Sequence, residues 1–187
     1  MKKKILIIGI IFIILIMCMC ACQPDSDIPI EEEDSGINFS YDACTVNYQL
    51  ISSLENVIVD NEEGLKNYFT NNPSLEAIDN SGNYTDTTLG NILKKYTESY
   101  FSSNIVCIIA TGHTPDNHVY EITKVYLIED KLYVIREDVP PNYTHVAIVG
   151  GYLYFIEIEK SEIKDVELSE LKIGGYYKES QWESNNT

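Results

Sequence analysis

Positive charge is scarce in this 187-residue chain, with 13 lysines and arginines against 29 aspartates and glutamates. Three of the thirteen are Lys2, Lys3 and Lys4, so the chain beyond them keeps 10 basic residues and a net charge near −19. Nucleic acid is therefore a poor partner, because neutralising phosphates requires clustered lysine and arginine. The same balance disfavours an anionic lipid surface, apart from any covalent anchor. An acidic surface attracts cations or basic proteins, and it also keeps a protein soluble outside the cell.

Cysteine is sparse beyond the first 22 residues, where only Cys44 and Cys107 remain. Neither lies in a C-x-x-C pair, so thiol redox and zinc chemistry are not indicated. The two form a candidate disulfide, which would close a long loop worth roughly 4 kcal/mol in the chain-entropy model. Against it, Cys107 sits in Ile-Val-Cys-Ile-Ile, where a thiol serves as a small buried hydrophobe.

Catalytic motifs are missing too. The chain has no G-x-S-x-G elbow, Walker loop or G-x-G-x-x-G, and its three histidines have no recognisable nucleophile partner. His113 and His118 bracket a polar loop that contains Asp116, and His145 follows later, but this is not the one-turn spacing of a helical zinc pair. The stretch from Asp79 to Asp86 (DNSGNYTD) superficially suggests a calcium loop. It fails at Tyr84, where glycine is needed, and at Gly90, where glutamate is needed. Glu157 and Glu159, two apart on one strand face, fit a solvated face better than an acid–base pair. No enzyme, cofactor or metal is expected from motifs alone.

The opening of the chain is the strongest positive signal. Three lysines precede an unbroken apolar run from Ile5 to Cys22, with Ala21 directly before that cysteine. A positive n-region, an apolar h-region and a small residue before a cleavage site make a secretory signal. The Ala21–Cys22 junction resembles a bacterial lipoprotein signal, which would make residues 1–21 the signal peptide and Cys22 the lipid-carrying N-terminus. The alternative is an uncleaved membrane helix, since residues 5–22 would span ~27 Å. The 13 residues from Ile5 to Met17 suit an h-region better. Both readings keep the lysines inside and place the rest on the extracytoplasmic face of the cell membrane. Residues 22–36 follow as an acidic Pro- and Ser-bearing tether.

Residues 44–52 and 56–59 read as strands. Asp60 and Glu63 have capping-box spacing ahead of a helix with Leu65, Tyr68 and Phe69 on one face, ending by Asn72 before Pro73. Residues 74–86 read as loop. Thr87 or Thr88 caps a second helix bearing Leu89, Ile92, Leu93 and Tyr96. Continuous apolarity over 104–110 marks a strand buried on both faces. Val119–Ile128 and Leu132–Val139 form a hairpin around residues 129–131, expected to join the 105–110 strand in one sheet. Its first strand would set Tyr120, Ile122, Tyr126 and Ile128 on one face; in the second, Leu132 pairs with Val134 and Tyr133 with Ile135 and Val139. Residues 146–149 and 152–159 supply further strand, hinged at Gly150 and Gly151, and 179–187 read as a frayed tail. Fourteen tyrosines, mostly within alternating stretches, suit a sheet protein. The expectation is one α+β domain over 37–178, an antiparallel β-sheet with two helices packed against it.

The segments Asn104–Gly112 (NIVCIIATG), Tyr120–Val139 (YEITKVYLIEDKLYVIREDV) followed by Pro140, and Tyr152–Lys160 (YLYFIEIEK) carry a family resemblance. In their order, residues from about 100 to 162 resemble the PrcB-type C-terminal domain, named for a lipoprotein subunit of a bacterial surface protease complex. One departure stands out. The family usually has Gly-Gly-Tyr entering the hairpin, where this chain has His118-Val119-Tyr120. The resemblance implies a non-catalytic, surface-anchored module that binds or stabilises another extracytoplasmic protein. A binding protein for a small ligand or cation is the alternative. Partner contact is expected in the loops at 111–117 and 140–145, with His113, Asp116, Asn117, Pro140, Asn142 and Tyr143 as the candidate residues, because binding residues concentrate on loops held by a rigid scaffold.

Overall fold

A computed structural model describes residues 36–112, 119–139 and 150–185. The chain forms β1 (Phe39–Asn47), a helical turn α1 (Tyr48–Ile51), β2 (Val57–Val59), α2 (Glu62–Thr70), a 3-10 turn (Pro73–Leu75), α3 (Thr88–Leu93) and α4 (Glu98–Phe101). Then come β3 (Asn104–Thr111), β4 (Val119–Ile128), β5 (Lys131–Val139), β6 (Gly150–Glu159), a second 3-10 turn (Lys160–Ile163), β7 (Lys172–Lys178) and α5 (Glu179–Asn185). The α+β class holds, but with two sheets rather than one. The larger runs β1-β6-β3-β2, antiparallel throughout; the smaller runs β4-β5-β7, with β5 and β7 parallel.

Alternation along each strand decides what covers each face. Cys44, Val106, Ile108, Leu153 and Phe155 point to one side of the larger sheet and meet Leu65, Phe69, Leu93, Tyr96 and Phe101 from the helices. Ile105, Cys107, Ile109, Tyr154, Ile156 and Ile158 point to the other side. There they meet Tyr120, Ile122, Val125, Leu132 and Val134 from the smaller sheet. A last layer, α5, sits on the outer face of the smaller sheet, where Trp182 packs with Tyr133 and Ile135. The layers therefore run helices, sheet, sheet, helix. The continuous apolar run of β3 is explained by this stacking: one face meets helices, the other a sheet.

Several expectations are corrected here. The hairpin does not lie beside β3 in one sheet; it packs face-on against it. A bulge at Thr123, where the register shifts between Ile122 and Lys124, inserts one unpaired residue. Beyond it the facing inverts, so Tyr120, Ile122, Val125 and Leu127 look inward while Tyr126 and Ile128 look out towards Trp182. The expected common face of Tyr120, Ile122, Tyr126 and Ile128 does not exist. Leu132 with Val134, and Tyr133 with Ile135, do share faces. Residues 179–185 are not frayed, because Trp182 anchors them.

The first strand begins at Phe39 and ends at Asn47, whose side chain accepts the Gln49 N–H at 3.0 Å and turns 48–51 helical. Asn61 rather than Asp60 caps α2, accepting from the Gly64 N–H at 2.7 Å. Thr87 caps α3 through the Gly90 N–H at 3.1 Å. Tyr96 lies beyond α3, in the turn leading to α4, and is wholly buried. Residues 79–83 form an Asx turn in which Asp79 Oδ1 accepts from Ser81 and Asn83 N–H groups at 2.8 and 2.9 Å.

The candidate disulfide is absent: Cys44 and Cys107 are both free and buried. Their strands lie on opposite sides of β6 in the same sheet, and the two side chains point to opposite faces. Two strand spacings amount to about 9–10 Å, beyond the ~7 Å limit for bridged Cα atoms. Burial, reinforced by Asp42, pushes the Cys44 thiol up to about 11, and burial alone pushes Cys107 up to about 12. Both thiols are therefore neutral and unreactive at ordinary pH.

Candidate functional site

The β-register separates the two ends of this layered structure. Phe39, just after the first described residue, pairs with Ile158 near the end of β6. Ile37 donates to the Val125 carbonyl at 2.8 Å on the smaller sheet. Ile163 and Leu171, in the connection from β6 to β7, fill the inter-sheet core at the same end. At the other end Thr111 pairs with Tyr152, and Val119 with Val139. Residues 113–118 and 140–149 are bracketed by strand ends that all belong to that second end. Tyr152 and Ile158 are six residue steps apart along β6, so the two ends are about 20 Å apart.

The sequence places candidate contacts at His113, Asp116, Asn117, Pro140, Asn142 and Tyr143, and the lipid at Cys22. All seven lie outside the described residues, as do the other two histidines. Thr111, expected in the first loop, is instead the last residue of β3, buried, with its hydroxyl 3.4 Å from the Tyr152 carbonyl it donates to. Gly151 explains how the end is closed on the helix side. A Cβ there would lie 2.1 Å from Ile51 Cδ1 and 3.0 Å from the Thr111 carbonyl oxygen, so its absence lets α1 pack against β6.

The most distinctive residue at this end was not among the expected ones. Arg136 is the chain's single arginine. It sits near the end of β5 on the inward face, paired in register with Ile122 and Lys178. Its guanidinium carbon lies 3.6 Å from the Tyr120 ring centroid and 4.6 Å from that of Tyr176. Cation–π contact of this kind contributes about 0.5–2 kcal/mol each and holds the guanidinium plane in place. Tyr154 donates its hydroxyl to the Tyr120 carbonyl at 3.0 Å and packs 6.4 Å from the Tyr176 ring, bracing the pair from the larger sheet.

Of the four buried side-chain polar atoms without a hydrogen-bond partner among the described residues, two lie here and the others are the Tyr84 and Tyr100 hydroxyls. The Nε of Arg136 and the hydroxyl of Tyr176 are buried and find no hydrogen-bond partner among the described residues. Leaving such a group unpaired costs about 1–3 kcal/mol, more when it is charged. Burial pushes Tyr176 well above the ordinary phenol range, with the adjacent Arg136 pulling the other way, so the hydroxyl stays protonated and able to donate. Beside them opens a cleft of about 370 Å³ lined by Arg136, Glu137, Lys178, Glu179, Ser180 and Glu183. Glu137 and Glu179 share a hydrogen bond there, which holds Glu137 up and Glu179 down. Glu179 also pairs with Lys124 at 2.7 Å.

A second polar cluster lies on the helix side of the larger sheet, towards the opposite end. Lys95 pairs with Asp42 and Glu157, and Tyr96 donates to Glu157 Oε1 at 3.0 Å. Burial alone would lower Lys95, but its hydrogen bonds to Asp42 and Glu157 outweigh this and keep it above the ordinary lysine value. Burial, then Glu157, push Tyr96 far up. Glu157 is thus a structural hub rather than a solvated residue, while Glu159 is exposed. Glu157, Glu159 and Glu162 line a neighbouring cleft of about 420 Å³. Among the described residues no group of His, Cys, Asp and Glu is arranged to hold a metal ion, and no helix is long and apolar enough to cross a membrane.

No family model, curated protein or solved structure matches this chain.

Proposed function

We propose that this chain is a membrane-anchored extracytoplasmic lipoprotein, held by lipid on Cys22, whose domain binds or stabilises another extracytoplasmic protein without catalysing a reaction. The observation that carries this reading is the separation of the two ends. The described chain begins beside Phe39 and Ile158, whereas the strand ends that flank 113–118 and 140–149 lie at the far end. Fifteen tether residues reach at most about 50 Å when extended. A tether of that length lets the far end of the domain reach neighbouring proteins away from the membrane. The resemblance of residues 100–162 to the PrcB-type domain supports the same reading, since it implies an accessory role. The cation-binding alternative draws on the Glu157–Glu159–Glu162 cleft, but Glu157 is already paired with Lys95 and Glu162 accepts two hydrogen bonds from Asn38.

Replacing residues 113–118 by a Gly/Ser segment of equal length tests the reading, with Thr111 and Gly112 kept because β3 needs them. Cross-linking and pull-down from intact cells should lose the partner recovered with the unaltered chain, while lipid labelling and folding persist. Undiminished recovery from a folded, anchored variant would remove that loop from the interface.

A further inference from the structure

We infer that Arg136 and Tyr176 form a carboxylate-binding site at the loop-bearing end, a site that deepens the partner-binding reading and rests on it. The Arg136 guanidinium lies against two rings, Tyr120 at 3.6 Å and Tyr176 at 4.6 Å, which leaves its edge for hydrogen bonding. The Nε–H on that edge can only donate, and it has no acceptor among the described residues. The neighbouring Tyr176 hydroxyl is also buried, close to Arg136 and Tyr154 but without a well-aligned hydrogen bond to either. Two donors side by side with no acceptor describe the complement of an acceptor-only group, and a carboxylate takes a planar guanidinium edge with two oxygens. Arg136 as a residue lines the rim cleft beside α5, so the site lies next to solvent although its Nε is itself buried.

The surroundings choose a carboxylate over a phosphate. Glu137, Glu179 and Glu183 share the rim and the whole chain is strongly acidic, so each additional negative charge on a ligand is opposed. A single negative charge on a peptide, from its C-terminus or from one acidic side chain, meets this condition. The use of the chain's lone arginine here follows the same logic: a lysine would supply neither the planar edge nor the stacking.

Because there is one arginine, the full-length chain labelled with 15N-arginine in detergent gives one side-chain Nε–H signal, which Arg136→Lys must abolish. Three acetylated tripeptides serve as probes at constant ionic strength: Ala-Ala-Ala with a free C-terminus, the same with a C-terminal amide, and Ala-Glu-Ala amide. The signal should move saturably with the free-carboxylate peptide, the glutamate peptide or both, and not with the neutral amide. The first and third peptides separate a C-terminal from a side-chain source. Tyr176→Phe should weaken the saturating response about tenfold, the loss of one hydrogen bond to a charged group. A signal unmoved by all three, or moved equally by the amide, would overturn the site and indicate that the chain's own loops occupy the arginine. A saturable response together with undiminished partner recovery after loop replacement would leave the carboxylate site standing and remove the loop from the partner reading.

Discussion

Ile135→Asp abolishes the folded state, the largest effect expected of any single substitution considered. Ile135 is fully buried on the outer face of the smaller sheet, next to Tyr133 and beneath Trp182. An aspartate there would be an unpaired charge in an apolar layer, costing several kcal/mol beyond the lost transfer energy of the isoleucine. A domain of this size has about 5–15 kcal/mol of stability in total, so most of it would be consumed. Ile135→Val should cost only about 0.5–1.5 kcal/mol, and Lys131→Glu, on a partly exposed side chain beside the hairpin turn, should be nearly neutral. Denaturant titration of the three variants checks the order. A folded Ile135→Asp protein with an unchanged midpoint would mean that α5 does not cover this face.

Trp182→Ala is expected to cost about 3–5 kcal/mol. The indole stacks on Tyr126 at 5.4 Å and 9°, and contacts Tyr133 at 5.2 Å and Tyr177 at 5.6 Å. It is the one strongly apolar side chain of α5 and holds that helix against the sheet. As the chain's only tryptophan, it also gives the readout for the unaltered protein: its emission should be blue-shifted and should move red at the unfolding midpoint. A solvent-like emission maximum in the native protein, or a loss below 1 kcal/mol on truncation, would restore the view that residues 179–185 are a loose tail.

How far the fold was legible in the sequence depended on whether a feature is local. The hairpin was legible because two alternating runs flank Glu129 and Asp130, and Glu129 does adopt the left-handed φ of +56° that such a turn demands. The start of β1 was not, because Ser40 and Asp42 interrupt its apolar pattern. They face the helix side, where Asp42 meets Lys95 and Ser40 Oγ lies 3.3 Å from Glu157. The facing of β4 was illegible for a different reason: a bulge changes parity, and no residue type announces it. Nor could apolar runs say whether a helix or a second sheet would cover β3, since either hides the same surface. Trp182 lay in a polar tail, and its pairing with Tyr126 and Tyr133, both distant in sequence, orders that segment.

At the site the difference is sharper. Polar stretches between apolar runs pointed to loops at 111–117 and 140–145, of which Thr111 proves to be the last residue of β3 and the rest, apart from Gly112, lie outside the described residues. No motif singled out Arg136, although one signal was present: a lone arginine inside an apolar strand of an acidic chain must be stacked or paired to remain there. Its partners Tyr120 and Tyr176 are brought in from β4 and β7, and no local spacing connects them.

The central claim, an anchored domain presenting its far end, is tested most directly by photo-cross-linkers placed at its two ends. Benzoylphenylalanine at Glu137, exposed beside the Arg136 cleft, is expected to capture a protein partner on intact cells. The same group at Asp130, in the hairpin turn at the tether end, is expected to capture none above background. Capture from Asp130 with silence at Glu137 would contradict the account and place the binding surface on the side facing the membrane.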